Sequence, residues 1–212
     1  MKIYKLNEFV SYFDISKIYN EPPILIPTVC TNYISNFKFR VLHKSNYDDI
    51  VTDNLVSIHK LIFDYINILY NIKYIARPND EIDHISGNVY NNLYIPHNSY
   101  YNNIRVCTNR QNQLNKPKLG YQTYCTKSGI YYIAKIRIEN GKRKYKSFLS
   151  PQECIDWNIS QLSDEDKSFY YHSPTNPRNW SWTFSNTILN AIGYNDLYDE
   201  YDYNDEDFCD DW

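Results

Sequence analysis

"IDHISGNVYNN", residues 82–92, and "NNIRVCTNRQN", residues 102–112, decide how the middle of this chain folds. "NNIRVCT" reads as a brief strand, because β-branched residues suit a pleated surface. Thr108 and Gln111 then have the spacing of a capping box, so a helix starts there and carries Asn112 in its first turns. Upstream, "ARPNDEI" leads into another short strand that places Asp83-His84 on it or just after it, ahead of a turn at Gly87. The order is strand, looped strand, helix. Neighbouring residues of a strand point to opposite sides, so Asp83 and His84 present a carboxylate and an imidazole in different directions. Taken alone, such a pair is more often a hydrogen-bonded element of a polar loop.

Working outward, Leu55, Ile58, Ile62, Ile66 and Leu69 recur at helical spacing after a capping Asp53-Asn54, which predicts an amphipathic helix. The prolines of "NEPPILIP" exclude a regular helix near the N-terminus. On the C-terminal side, "LGYQTYC", the alternation through Ala134, Ile136 and Ile138, and "KRKYKSFL" read as three strands, with Asn140-Gly141 as a two-residue hairpin turn between the last two. Ser150-Pro151-Gln152-Glu153 combines an N-cap, a proline at the first helical position and a box glutamate, so a helix follows across the sheet. Farther on, "NPRNWSWTFSNTILNAIGY" has enough apolar surface to dock on the body.

The chain has 212 residues, 42% of them hydrophobic, with 23 tyrosines beside one methionine. That skew reads as coding bias from an AT-rich genome, so a single Tyr or Asn carries little functional weight. No segment has the apolar length of a membrane span, and "MKIYKLNEFVSYF" lacks a signal-peptide core, so a soluble intracellular protein is expected. Five scattered cysteines contain no C-x-x-C pair, which argues against a zinc knuckle and a disulfide framework. The net charge of -3 conceals a segregation of signs. Nine of the 25 acids lie between Tyr194 and Trp212, a low-complexity tail read as disordered, which leaves 16 acids against 22 basic residues elsewhere. Between Arg105 and Lys146, eleven Lys or Arg face a single acid, Glu139, a stretch suited to a nucleic acid.

Hydrolysing a phosphodiester takes a cation that neutralises charge growing on the phosphate, and a base that accepts a proton from the attacking water. Asp83 with Asn112 offers hard oxygen ligands for such a cation, and His84 offers the base. Together, "DHISGN" at 83–88, "NN" at 91–92 and "NNIRVCTNRQN" at 102–112 resemble the HNH endonucleases of the phage-intron homing type, including the spacing of nine from Asn103 to Asn112. The resemblance implies a ββα-metal site with His84 as general base, Asp83 and Asn112 on one Mg2+ or Mn2+, and Asn103 as the central asparagine that orders the loop. It also matches His59 to an upstream helix histidine of that family. The loop at 93–101, with His97, is longer than the family's.

Two more segments carry resemblances. Residues from about Lys118 to Leu162 look like the Apetala-type DNA-binding domain, a three-stranded sheet with a packed helix that often follows an HNH domain in phage and giant-virus proteins. "YISNFKFRVLHKS", residues 33–45, is similar to a module that precedes many such nucleases. The expectation is an α+β protein: an N-terminal module at 1–45, a ββα-metal HNH domain at 46–116, an Apetala-like domain at 117–163, an aromatic extension at 164–193 and the acidic tail at 194–212. Double-stranded DNA is the expected partner, held through Arg105, Arg110, Lys135, Arg137, Lys142, Arg143, Lys144 and Lys146. No structural zinc and no membrane partner are expected. A monomer is favoured, and the resemblance suggests a viral protein acting in a host cytoplasm or nucleus. Two rivals stand beside a DNA-cutting enzyme: a non-catalytic DNA-binding or regulatory protein that kept the fold, and an interaction protein whose acidic tail binds a basic partner.

Overall fold

A computed structural model of the chain describes residues 2–15, 22–44, 47–74, 80–96, 102–116, 118–138, 141–178 and 187–188. They form a mixed α+β protein of small antiparallel sheets and short helices. Two compact units result: the described chain through Asn112 with Pro177, Arg178, Thr187 and Ile188, and Gln113–Asn176. His97, the tryptophans of the aromatic extension and the acidic tail lie outside the described residues.

In the first unit, β1 (Ile3–Lys5), β2 (Val10–Phe13) and β3 (Ile24–Pro27) make an antiparallel sheet in that order, with β3 buried throughout. A 3-10 turn at Thr28–Cys30 and the short α1 (Thr31–Ile34) lead to a hairpin of β4 (Phe39–Lys44) and β5 (Tyr47–Thr52). The long helix, α2 (Ile58–Leu69), starts later than the Asp53-Asn54 cap predicts. Leu55 takes a left-handed φ of 61°, and its N–H turns back to the Thr52 carbonyl at 2.9 Å, so the chain is still in a turn there. From Ile58 the apolar stripe buries Ile62, Phe63 and Ile66, while Leu55 and Leu69 at its ends are exposed.

Next, β6 (Asp80–His84) pairs antiparallel with β7 (Ile104–Thr108), which sets Asp83 opposite Arg105 and His84 opposite Ile104. The helix α3 (Asn109–Asn115) follows directly. Its cap is reciprocal: Gln111 N–H donates to Thr108 Oγ1 at 3.2 Å, and Thr108 N–H donates to Gln111 Oε1 at 2.9 Å. The residues between β6 and β7 are tied to β3, because Leu25 N–H donates to Tyr90 O at 2.8 Å and Asn92 N–H to Leu25 O at 3.0 Å. Those bonds cross the expected border at residues 45 and 46, so the N-terminal module shares one unit with the described residues between 46 and 112. Ile188 joins Val10, Leu25 and Leu93 in a buried cluster, which assigns part of the 164–193 extension to this unit.

In the second unit, β8 (Tyr121–Thr126), β9 (Gly129–Arg137) and β10 (Arg143–Phe148) form an antiparallel sheet with β9 central. The helix α4 (Pro151–Ser160) packs across it, capped by Ser150 Oγ accepting from Glu153 N–H, and α5 (Asp164–Lys167) follows. Ala134 and Ile136 are buried, and Ile136 clusters with Leu114, Leu162 and Tyr170. Asn140, the first residue of the expected two-residue turn, lies outside the described residues. Gly141 N–H donates to Ile138 O, Ile138 N–H donates to Lys142 O, and Gly141 sits at φ 77°, a left-handed position that suits glycine. Among the described residues, no helix is long and apolar enough to cross a membrane.

Candidate active site

His84 ends β6 and is buried, 8% exposed. Its Nε2 lies 3.0 Å from Asn92 Oδ1, and Asn92 Nδ2 donates to Val89 O at 2.9 Å, which turns the amide oxygen toward the imidazole. An oxygen can only accept, so Nε2 carries the hydrogen and the neutral ring has its lone pair on Nδ1. Burial pushes the His84 pKa below its ordinary 6.5, against the smaller opposing pull of Asn92 and the Asp49 carboxylate. The imidazole is therefore a neutral base near pH 7. The ring of His59, from α2, meets it edge to face with centroids 4.7 Å apart.

This burial has a measurable consequence. With the folded pKa below the unfolded one, the unfolded chain binds a proton that the folded chain resists as pH drops through the unfolded value. Stability from this group is complete above that value and is lost as pH falls toward the folded pKa. Thermal melts between about pH 7.5 and about pH 5.5 should show a larger fall in Tm for the parent than for His84→Gln. Parallel falls in the two proteins would contradict a buried neutral imidazole.

Asp83 is also buried, at 8% exposure, and Arg105 Nε donates to its Oδ2 at 3.2 Å. Arg105 is thus a partner of Asp83, with only 14% of its side chain exposed. Two residues back on the same face of β6, Glu81 receives Asn109 Nδ2 on one oxygen and Asn112 Nδ2 on the other, both at 2.7 Å. A carboxylate can only accept, so the Asn112 amide turns its nitrogen to Glu81 and its oxygen elsewhere. Oxygen donors of this kind are of the type that suits Mg2+ or Mn2+, and Asp83 and Asn112 are the two residues that could offer them. Among the described residues no three His, Cys, Asp or Glu side chains converge as a metal cage. The expected pair, one carboxylate and one amide, is a different kind of set.

Asn103 holds the loop from inside. Its side chain is 0% exposed; Oδ1 accepts from Ser86 N–H at 2.9 Å, and Nδ2 donates to Asn91 O at 2.7 Å and Asn88 O at 3.2 Å. Three segments of the loop are thereby fixed to the start of β7. Gly87 makes the reversal after His84, with φ 77° and its N–H on His84 O at 2.9 Å.

The basic residues divide by sheet face. Cross-strand partners share a face, and Lys144 opposes Ile136 while Lys146 opposes Ala134, so both lie on the side that packs against α4. Lys144 Nζ reaches Gln161 Oε1 at 2.7 Å, and Lys146 lies over the Phe148 ring. Lys135, Arg137 and Arg143 occupy the open face with Tyr145, over which Lys135 Nζ sits at 5.7 Å. Lys142 is exposed at the turn, and Arg110 is half-buried on α3. The eight basic candidates therefore do not form one surface.

From sequence, Glu81 and Asp49 carry no role, and Asn92 enters only as part of the "NN" at 91–92. Glu81 had a signal in its i, i+2 relation to Asp83 on a strand; the other two are placed by tertiary contacts. Comparison with protein-family models, curated proteins and solved structures finds no match to this chain.

Proposed function

We propose that the chain is an HNH-type endonuclease that hydrolyses phosphodiester bonds of double-stranded DNA with one Mg2+ or Mn2+. What carries this reading is His84: a buried, neutral imidazole, its tautomer set by Asn92, beside the Asp83 carboxylate and ahead of a helix that bears Asn112. His84 Nδ1 takes the proton from the attacking water. Asp83 and Asn112 would hold the cation, which would supply charge neutralisation at the phosphate and leaving oxygen. Asn103 keeps the loop in register, so that His84 and Asp83 stay on their own sides of β6. Conversion of supercoiled plasmid in Mg2+ against EDTA tests the cleavage.

The open face of the second unit supports DNA binding, with Lys135, Arg137 and Arg143 as backbone or groove contacts. Each neutralised phosphate contributes roughly -0.9 to the slope of log affinity against log salt. Replacing both Arg137 and Arg143 by Ala should make that slope shallower by about 1.8. The double change at Lys144 and Lys146, on the helix-packed face, should alter it much less. Equal effects of the two pairs in fluorescence-anisotropy titrations would contradict the face assignment.

The Arg105–Asp83 ion pair favours a second reading, a non-catalytic DNA-binding protein, because a guanidinium already neutralises the carboxylate. Cleavage by the parent chain separates the two.

A further inference from the structure

On its open face the second unit carries rings as well as cations. Tyr124 and Tyr131 are direct cross-strand partners on β8 and β9, and their rings stack with centroids 5.6 Å apart and planes 14° from parallel. Tyr131, Lys135 and Arg137 stand an even number of residues apart on β9 and so share this face, with Tyr145 opposite Lys135 and Arg143 opposite Arg137. Tyr124 is 42% exposed and Tyr145 55%, so neither ring is spent on the core. Tyrosine is abundant in this chain, and the contrast with the other face therefore matters: there Tyr121 and Tyr132 meet edge to face and are half-buried. No Asp or Glu occurs on any of the three strands.

Cations hold a DNA backbone whether or not its bases are paired, so they give no reason for rings to stand among them. A base in an intact duplex lies between its neighbours with both flat faces covered. An unpaired base offers a flat face, and a basic track set with aromatic side chains is the kind of surface that holds single strands. The Nζ of Lys135, 5.7 Å from the centre of the Tyr145 ring, brings a positive charge and a stacking surface within reach of one nucleotide. From Tyr131 to Arg137 the face runs about 20 Å at the rise of a strand, room for several nucleotides of one chain.

We infer that this face binds unpaired DNA, with Tyr124, Tyr131 and Tyr145 stacking on bases while Lys135, Arg137 and Arg143 take the phosphates. The inference rests on the proposed reading of the face as the DNA contact and narrows its ligand to a single-stranded or frayed stretch; its test needs no cleavage. Fluorescence anisotropy of the full chain in EDTA, with a labelled single-stranded oligonucleotide and with its duplex, compares the parent with Tyr145→Ala, Tyr145→Phe and the double change Tyr124→Ala/Tyr131→Ala, alongside thermal melts. Tyr145→Ala should weaken single-strand binding about fivefold or more, and the double change should weaken it further. The salt slope should stay at the parent's value, because a neutral ring displaces no counterions. Duplex affinity should stay close to the parent's, and Tyr145→Phe should keep the single-strand affinity, since the flat ring and not the hydroxyl makes the contact.

Unchanged single-strand affinity in both alanine variants overturns the inference, and so does an equal loss on single strand and duplex. If the double change lowers Tm, the two Tyr145 variants decide, that ring being the most exposed of the three. A loss confined to the single strand, in a chain that never nicks plasmid, sustains the face and removes only the nuclease reading. Nicking by a parent whose single-strand affinity ignores all three rings does the reverse.

Discussion

Replacing His84 by alanine should slow plasmid nicking by about 10²- to 10⁴-fold, the usual contribution of a positioned general base, with metal and DNA affinity close to the parent's. The separation follows from the local geometry. His84 makes its hydrogen bond to Asn92 and belongs to the buried side of the loop, while Asp83, the proposed cation ligand, is engaged by Arg105 on the other side of β6. Asp83→Ala should behave differently, raising the metal concentration needed for activity, and Asn112→Ala should resemble it because an amide oxygen binds a cation and accepts no proton from water at neutral pH. If Asp83-His84 were only a structural pair, the His84 and Asp83 variants would lose activity in proportion to lost Tm. Full activity in a folded His84→Ala would end the mechanism.

Asn103→Ala should be the most destabilising single change in the loop. The substitution removes one accepted and two donated hydrogen bonds from a side chain with no exposure, leaving the Ser86 N–H and the carbonyls of Asn88 and Asn91 without it. At about 1 kcal/mol or more for each bond, the loss is about 3 kcal/mol or more. For a chain of this size that corresponds to roughly 10 °C in Tm. Calorimetry or circular dichroism reads it directly, and a Tm within a degree or two of the parent's would show that the loop is held by other means. Nicking should also collapse, because His84 and Asn92 lie on parts of the loop that Asn103 fastens together.

Local chemistry was legible in the sequence, and pairing across the chain was not. The Thr108–Gln111 box and the Ser150 cap involve neighbours three residues apart, so their hydrogen bonds can be read from spacing. Alternation through Ala134 and Ile136 likewise placed β9 against a helix. The start of α2 was not legible, because Leu55 takes a left-handed backbone that its residue type does not announce. Cation density along residues 105–146 gave no sign of which face each side chain occupies; the register does, setting Lys144 against Ile136. At the candidate site, the residue types stood in the sequence, but Arg105 on Asp83, Asn92 on His84, and Glu81 on Asn112 depend on how β6, β7, α3 and the loop are assembled.

The most direct measurement of the central claim is the conversion of supercoiled plasmid by the purified full-length chain, run with Mg2+, with Mn2+ and with EDTA, with DNA binding measured in the same samples. The account predicts nicked or linear product with either ion, none in EDTA, and DNA binding in all three. Cleavage that persists in EDTA would contradict the metal-assisted mechanism, and a folded chain that binds DNA yet leaves it supercoiled with both ions would contradict catalysis itself.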